Sequence, residues 1–253
     1  GVGSGILAFG SNGEFYMVEE DEMERGLKIM VEQSAGRVPV YFGIGAISTK
    51  KCCRRAQMAV KNGAAAVSVL QPMFLKPTYA ELYNHFKTIA ESVPETPVLL
   101  YNNPGRVGYT LSAQLVEELA HTVPNIVGMK DTISGMDHTR ELIKVVKSQI
   151  PSFEIYSGFD DNFAHNVLAG GNGCIGAVGN VVPEVCSAWV RAFRENDLAG
   201  IAKGQQTIDR LLDLYAVRSP FLPVIKEACK LRGVAARRPG PFPIPTPPVH
   251  AHA

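Results

Sequence analysis

The sequence predicts an α/β protein, and specifically a (β/α)8 TIM barrel with extra helices after the barrel. Short apolar runs recur roughly every 20 to 35 residues along the 253-residue chain, and a repeated strand–helix unit of this size is typical of parallel α/β folds. The runs are apolar at nearly every position rather than at alternate ones, which indicates strands covered on both faces of a sheet. The segments between the runs have the amphipathic period of helices.

Seven apolar runs are predicted as buried parallel strands. They are Gly5–Phe9, Val38–Ile44, Ala64–Leu70, Val98–Asn102, Ile126–Lys130, Glu154–Gly158 and Cys174–Val178. A (β/α)8 barrel has eight strands. The count therefore predicts that the first β/α unit of the barrel is missing from this chain.

Six amphipathic segments are predicted as the helices that alternate with these strands: Glu19–Glu32, Lys50–Lys61, Tyr79–Glu91, Ser112–His121, Asp137–Gln149 and Asn162–Leu168. Serine or threonine at a helix start is a typical N-cap, and here Ser48 or Thr49 precedes Lys50 and Ser112 begins its helix.

Three further helical segments are predicted after the last strand, at about Pro183–Arg194, Ala199–Ala216 and Pro220–Leu231. The stretch Pro239–Pro248 contains too many prolines for a helix or an inner strand. The predicted organisation is a barrel over residues 1–181, a helical extension over 182–238 and a proline-rich tail over 239–253.

An open, doubly wound sheet is the alternative architecture. That fold usually has a glycine fingerprint, GxGxxG, after its first strand. The segment Gly10-Ser11-Asn12-Gly13 has the glycine spacing of a turn and lacks this pattern, so the barrel is favoured.

Composition excludes several classes of function. The formal net charge is +1 with acids and bases mixed along the chain, which provides no field for nucleic acid or an anionic membrane. No apolar run is long enough to span a bilayer. The five cysteines lack CxxC spacing and are interpreted as reduced thiols of a cytoplasmic protein. No metal site is predicted, and His250 and His252 in the tail are interpreted as a frayed end or a cloning remnant rather than a ligand pair.

Polar residues at the C-terminal ends of barrel strands are the candidates for chemistry. After the first strand, backbone N–H groups and the hydroxyl around Ser11 and Asn12 could bind an anion, although the segment taken alone is more typical of a plain turn. The fourth strand ends in Tyr101, which could transfer a proton, and Arg106 five residues later could hold a carboxylate. A structural role for this tyrosine is the alternative.

Lys130 is the strongest candidate, because it ends an apolar strand where burial is expected. Buried lysines are rare, since an unpaired ammonium is costly to desolvate. Burial favours the neutral amine, which can attack a ketone. The alternative places Lys130 in solvent, paired with Asp131.

Other conspicuous side chains are interpreted as structural. His85 is predicted on a helix packing face, and Trp189 and Phe193 are spaced to share one buried helix face. Asp160 and Asp161 are expected to cap the helix that they begin, where carboxylates complement the helix dipole, rather than to bind a metal.

Taken together, three motifs in order, GSNGE, YNNPGRVG and GMKDT, resemble the dihydrodipicolinate synthase / N-acetylneuraminate lyase superfamily, as does the later GGNGCIGAVGN segment. The similarity extends from about Gly1 to the proline-rich tail and lacks the family's usual first strand and helix. The resemblance implies a (β/α)8 barrel with C-terminal helices, a homotetramer or other homo-oligomer, a small-molecule 2-oxo acid and an aldehyde as partners, and no metal or organic cofactor.

The resemblance also implies roles for six residues. Lys130 corresponds to the Schiff-base lysine and Tyr101 to the tyrosine that transfers protons. Ser11 and Asn12 correspond to the residues that receive the carboxylate of the 2-oxo acid. Ile175 corresponds to a residue whose backbone faces bound pyruvate, and Arg106 to an arginine that binds the second carboxylate in the synthases.

Two departures from the synthase pattern favour an aldolase of 2-oxo-4-hydroxy acids, of the 3-deoxy sugar type. Phe74 occupies the place of the synthases' second tyrosine, and Asn12 the place of a threonine. Arg106 favours the alternative, a dihydrodipicolinate synthase that condenses pyruvate with aspartate semialdehyde. A non-catalytic relative or inactive fragment is a third possibility, and a phosphate-handling barrel is weaker, because no glycine-rich phosphate-binding turn follows the last strands.

Overall fold

A seven-stranded parallel sheet organises residues 5–234, the part of the chain that this computed structural model describes. Its strand order is the order of the sequence, so each strand pairs with the one before it. The strands are β1 Ile6–Ala8, β2 Val40–Gly43, β3 Ala66–Leu70, β4 Val98–Asn102, β5 Ile126–Asp131, β6 Glu154–Ser157 and β7 Gly173–Cys174. The α/β class and the seven strands agree with the sequence prediction. Within residues 5–234 no strand joins β7 to β1, so closure of the sheet into a barrel is not observed.

Helices follow the strands in alternation. Their bounds are α1 Glu20–Ser34, α2 Thr49–Lys61, α3 Tyr79–Glu91, α4 Pro104–Val107, α5 Ala113–Thr122, α6 Asp137–Leu142, α7 Phe163–Leu168, α8 Pro183–Glu195, α9 Leu198–Leu211 and α10 Leu222–Leu231. The predicted N-caps are confirmed: the hydroxyl of Ser48 accepts from the Lys51 N–H at 3.2 Å, and that of Ser112 from the Leu115 N–H at 3.3 Å. None of these helices is both long and apolar enough to cross a membrane.

Several predicted bounds were wrong. The helix α6 ends at Leu142 and continues as a π-helical turn, Ile143–Lys147, instead of running on to Gln149. The helix α9 ends at Leu211 and tightens into a 3-10 turn, Leu212–Tyr215. The short helix α4 was not predicted, because four residues show no amphipathic period.

The last strand is shorter than predicted, and the reason lies in its neighbours. The ladder with β6 contains Gly173 and Cys174 and is followed by one hydrogen bond, from the Ile175 N–H to the Ser157 carbonyl at 2.9 Å. The N–H groups of Ala177 and Val178 donate to the carboxylate of Asp160 instead of to a strand, and Val178–Asn180 forms a 3-10 turn. Of the predicted strand Cys174–Val178, only Cys174 therefore lies in β7.

Two apolar clusters stabilise the described chain. The larger fills the space between the sheet and helices α1 to α6. The smaller joins α7 and the segment after β7 to α8, α9 and α10, where the Phe163 ring contacts Trp189 at 4.7 Å and Phe193 at 5.2 Å between centroids. The structural interpretation of Trp189 and Phe193 is thus confirmed. The boundary between residues 181 and 182 stays a prediction, and the proline-rich tail, with His250 and His252, lies outside the described residues.

Candidate active site

A cavity of about 310 Å³ lies at the carboxyl ends of the strands and contains Lys130. Among the described residues, three elements supply most of its wall: the turn after β1, the segment after β7 and one face of α10. The first contributes Ser11 and Asn12 and the second Ile175, while the apolar and basic face of α10 contributes Leu222, Ile225, Lys226 and Cys229. Four of the six predicted site residues therefore lie on one cavity.

Lys130 is buried, with 5% of its surface exposed, near the end of β5. Its Nζ lies 4.5 Å from the centroid of the Tyr101 ring, because the register of β4 and β5 places these two residues side by side. The alternative, Lys130 in solvent and paired with Asp131, is wrong.

Asp131 faces a different set of partners. Its carboxylate accepts hydrogen bonds from Asn102 Nδ2 at 2.7 Å and Thr139 Oγ1 at 2.7 Å, and lies 3.0 Å from His138 Nδ1. Burial lowers the pKa of His138, but the hydrogen bond and charge of Asp131 outweigh it, so that the pKa is raised. The Asp131 charge is thus compensated without Lys130.

Tyr101 is buried at the end of β4 and is the second predicted catalytic residue. Its Oη lies 3.1 Å from Ser11 Oγ and accepts a hydrogen bond from Asn103 Nδ2 at 3.0 Å. Burial raises the pKa of the phenol, but the charge of Lys130 and these hydrogen bonds outweigh burial, and the pKa is lowered. The arrangement favours a phenol that can release and accept a proton.

The turn that carries Ser11 depends on a close approach between β1 and β2. Phe9 leaves β1 in the left-handed region, with φ of 53°, and its carbonyl lies so near Gly43 that a Cβ at Gly43 would overlap it. The 3-10 turn Ser11–Gly13 follows. Glu14 ends the turn, and its carboxylate lies 2.5 Å from Lys226 Nζ, which joins this turn to α10.

Asp160 has a role that the sequence analysis misassigned. It was expected to cap the helix that it begins, but its carboxylate accepts from the N–H groups of Ala177 and Val178, at 3.0 and 3.1 Å. It therefore caps the turn after β7, the segment in which Ile175 lines the cavity. Burial raises the pKa of Asp160, while those two hydrogen bonds and the charge of Lys130 oppose the rise.

Tyr101 does not line this cavity itself but borders a smaller pocket that shares Leu7 and Gly10 with it. Arg106 and Phe74, also singled out from the sequence, lie outside the cavity wall as well. Arg106 is exposed on α4, with its guanidinium carbon 5.8 Å from the centroid of the Phe221 ring. Phe74 is 87% exposed, in the left-handed region with φ of 68°. Neither contributes to the surface around Lys130 within this chain.

Sequence reasoning also missed contributors to the site. Asn103 contacts the Tyr101 oxygen, and its only signal was its place in the YNNPGRVG motif. Lys226 lies on a C-terminal helix whose packing against the sheet no local pattern predicts. Over residues 5–234, no group of three or more His, Cys, Asp or Glu side chains is arranged to hold a metal ion, and all five cysteines are free.

Comparison with known proteins places this geometry in context. The sequence model of the dihydrodipicolinate synthetase family matches residues 1–246. YagE of Escherichia coli K12, named as a 2-dehydro-3-deoxy-D-gluconate aldolase, is 36% identical over 90% of this chain and 76% of its own length. YjhH of the same organism, named as a 2-dehydro-3-deoxy-D-pentonate aldolase, is 36% identical over 91% of this chain and 76% of its own.

Synthases are similar as well. A 4-hydroxy-tetrahydrodipicolinate synthase from Azoarcus sp. BH72 is 38% identical over 83% of this chain and 70% of its own length. Among solved structures, that of YagE in complex with pyruvate superposes with a TM-score of 0.92 at 34% identity, over 96% of this chain and 81% of that one.

Proposed function

This chain belongs to the dihydrodipicolinate synthetase family and is an enzyme of the class I aldolase and lyase type, and from that premise we propose that Lys130 forms a Schiff base with the ketone of pyruvate or a related 2-oxo acid. The observation that carries the proposal is a buried lysine whose Nζ faces the ring of a buried tyrosine at the carboxyl ends of two neighbouring parallel strands. Active sites of barrel enzymes lie at this end of the strands.

Lys130 and Tyr101 together can carry out every step of the proposed carbon–carbon bond cleavage. The neutral amine of Lys130 attacks the ketone carbon, and loss of water leaves an iminium. In the cleavage direction the Tyr101 phenolate takes the proton of the 4-hydroxyl group. The electrons of the C3–C4 bond then flow into the iminium to give an enamine, and an aldehyde leaves. Protonation of the enamine at C3 and hydrolysis release pyruvate and the free lysine.

The remaining residues orient the substrate in this proposal. Ser11 and Asn12 begin a tight turn, where backbone N–H groups lack partners within the turn, and they line the same cavity as Lys130. They are placed to receive the carboxylate next to the ketone. The backbone of Ile175, which lines the same cavity, is assigned to face the pyruvate carbons. Arg106 is assigned a role only for a substrate whose second carboxylate extends as far as α4, where the guanidinium could bind it.

The substrates that we propose are 2-oxo-4-hydroxy acids of the 3-deoxy sugar type. The relatives YagE and YjhH, named as aldolases of such acids, support this class. Phe74 carries no hydroxyl for the additional proton transfer that the synthase resemblance implies. The dihydrodipicolinate synthase alternative is supported by Arg106 and by the similar Azoarcus synthase, but Arg106 lies away from the wall around Lys130.

We also propose a (β/α)8 barrel that assembles as a homo-oligomer. The sequential parallel order of the seven strands supports the barrel. The adjacent side chains of Phe74 and Leu75 support assembly, because they are 87% and 55% exposed, and a contiguous exposed apolar surface is typical of an interface.

Reductive trapping tests the proposed function. We expect incubation with pyruvate and borohydride to add one reduced pyruvate to Lys130, located by peptide mass spectrometry. Lys130→Met should abolish the adduct, because no amine remains to attack the ketone. The matched control, Lys144→Met, removes an exposed lysine of the π-helical turn and should retain it.

Two results would contradict the proposal. The first is a folded wild-type protein that gives no adduct with pyruvate. The second is an adduct that persists on another lysine in Lys130→Met. If the adduct forms, cleavage of 2-dehydro-3-deoxy-D-gluconate, compared with condensation of pyruvate and aspartate semialdehyde, decides between the two substrate classes.

A further inference from the structure

Asn103 makes a contact with the reacting tyrosine that none of the proposed chemistry has used. Its side chain is buried, with 7% exposed, just beyond β4. Tyr101 and Asn103 are two residues apart on extended backbone, so their side chains point to the same face. Asn103 Nδ2 thereby donates to Tyr101 Oη at 3.0 Å.

We propose that Asn103 is a positioning residue that acts through Tyr101: its carboxamide N–H, together with the Ser11 hydroxyl, holds the phenol oxygen and favours the form that accepts a proton from the substrate. This inference rests on the proposed function, because it requires Tyr101 to transfer that proton.

The backbone of Asn103 is held independently of the tyrosine. The backbone N–H of Asn103 donates to Gln71 Oε1 at 3.0 Å. Gln71 is fully buried, and its Nε2 donates to the Tyr109 carbonyl at 2.7 Å and to Asn102 Oδ1 at 3.1 Å. Pro104 further restricts the backbone of the residue before it. The backbone from which the Asn103 side chain extends toward Tyr101 is therefore fixed whether or not Tyr101 carries a proton.

A fixed donor acts on the two protonation states of Tyr101 differently. The amide nitrogen of asparagine can only donate, so it occupies a lone pair of the phenol oxygen and stabilises the phenolate more than the phenol. Lys130 on β5 is the charged group that faces Tyr101, and Ser11 approaches from the turn after β1. The lowered pKa of Tyr101 has the Lys130 charge and the hydrogen bonds from Ser11 and Asn103 among its causes, acting against burial.

Two variants of similar size test the donor. Asn103→Leu removes both the donor and the acceptor, and Asn103→Asp retains the polarity and shape but replaces the donor by an acceptor. The readout is the exchange of the C3 protons of pyruvate with D2O, followed by proton NMR from about pH 5 to 9. In this exchange a base takes a C3 proton from the iminium and the C–H electrons form the enamine, so no aldehyde is required.

We expect the exchange rate of the wild type to rise with pH until Tyr101 is ionised. A hydrogen bond to a charged group contributes about 1.5–3 kcal/mol, so both variants should shift that rise upward by about one to two pH units and exchange about 10- to 100-fold more slowly at neutral pH. The shift should be larger for Asn103→Asp, because a carboxylate repels the phenolate.

Asn162→Leu is the matched control. Asn162 is also buried, at 8% exposed, and its Nδ2 donates to the carbonyls of Ile133 and Gly135 rather than to Tyr101. Its loss should lower the free energy of unfolding without moving the pH profile. If the role of Asn103 is purely structural, Asn103→Leu and Asn103→Asp should behave like this control: the free energy of unfolding falls and the pH profile does not move.

The outcomes separate this inference from the proposed function. Failure of the wild type to form a borohydride-reducible adduct with pyruvate overturns both. An adduct in wild type and variants, together with an unshifted pH profile in either folded variant, overturns the role of Asn103 alone. If Asn103→Leu does not fold, Asn103→Asp decides the question.

Discussion

At the scale of single residues, the reactivity of Lys130 depends on whether the neighbouring carboxylate of Asp131 is paired with it or with other groups. The carboxylate of Asp131, next to Lys130 in the sequence, is surrounded by Asn102, His138 and Thr139. Lys130 instead faces the ring of Tyr101. Because an amine held in an ion pair is a poor nucleophile, the separate hydrogen bonding of Asp131 leaves Lys130 available for a ketone.

A buried histidine predicts how stability depends on pH. His85 on α3 is buried, its Nδ1 lies 2.9 Å from Thr49 Oγ1, and its Nε2 has no partner among the described residues. Burial lowers its pKa from 6.5 to about 4. Between these values the unfolded chain binds a proton that the folded chain does not, so the free energy of unfolding falls as the pH falls from about 6.5 to about 4.

Replacing this histidine should remove that dependence. We expect the free-energy advantage of the wild type over His85→Gln to shrink by about 3 kcal/mol between pH 7 and 4, measured by urea unfolding at a series of pH values. His121→Gln, at an exposed position near the end of α5, is the control and should give parallel curves. A constant difference between wild type and His85→Gln would contradict the prediction.

At the scale of elements, the segment after β7 shows how one side chain shapes a cavity wall. Asp160, just before α7, accepts from Ala177 and Val178 and so ends the strand after Cys174. Gly176 lies against this carboxylate, and a Cβ added there would overlap it. The absence of a side chain at Gly176 is therefore what allows the cap to form.

Gly176→Ala should displace the Asp160 carboxylate. The loss of hydrogen bonds to two buried N–H groups should lower the free energy of unfolding by about 2 kcal/mol or more. Because Ile175 and Ala177 line the cavity, we also expect a higher pyruvate concentration for half-maximal adduct formation. Thermal unfolding and reductive trapping measure the two effects.

Gly179→Ala is the control within the same turn. Among the described residues, a Cβ at Gly179 meets only Cys186 Sγ, at an ordinary 3.8 Å, so that stability and adduct formation should stay near those of the wild type. Equal effects of the two substitutions would show that the contact with Asp160 is not the cause.

At the scale of the whole molecule, the helical extension completes the site instead of standing apart from it. One face of α10 forms part of the cavity wall, and the ion pair between Lys226 and Glu14 joins that helix to the turn that carries Ser11. The second apolar cluster, centred on Phe163 and Trp189, holds α8, α9 and α10 against the end of the sheet.

The proposed homo-oligomer is tested at its exposed apolar surface. We expect the wild type to sediment as a dimer or tetramer and Phe74→Ser to shift toward smaller species, because Phe74 would lose most of the apolar area that it contributes to an interface. Leu198→Ser, at a position 79% exposed on α9, is the control and should leave assembly unchanged. A monomeric wild type in analytical ultracentrifugation would contradict the proposal.

The α/β class and the seven parallel strands were predictable from the sequence alone, and the resemblance of its motifs to a known family singled out Lys130 and Tyr101 as the residues proposed for catalysis. Strand and helix periods are local, and a polar residue at the end of an apolar run is visible without any tertiary contact, as Lys130 and Tyr101 illustrate. The N-caps at Ser48 and Ser112 were predictable for the same reason.

Which distant residues meet could be learned from the three-dimensional structure alone. The cap that Asp160 provides for Ala177 and Val178, the wall formed by α10 and the positions of Arg106 and Phe74 away from Lys130 arise from contacts between segments far apart in the chain. Such contacts depend on how helices and turns pack on the sheet, and packing depends on shape and volume, which no periodic pattern in a single sequence encodes.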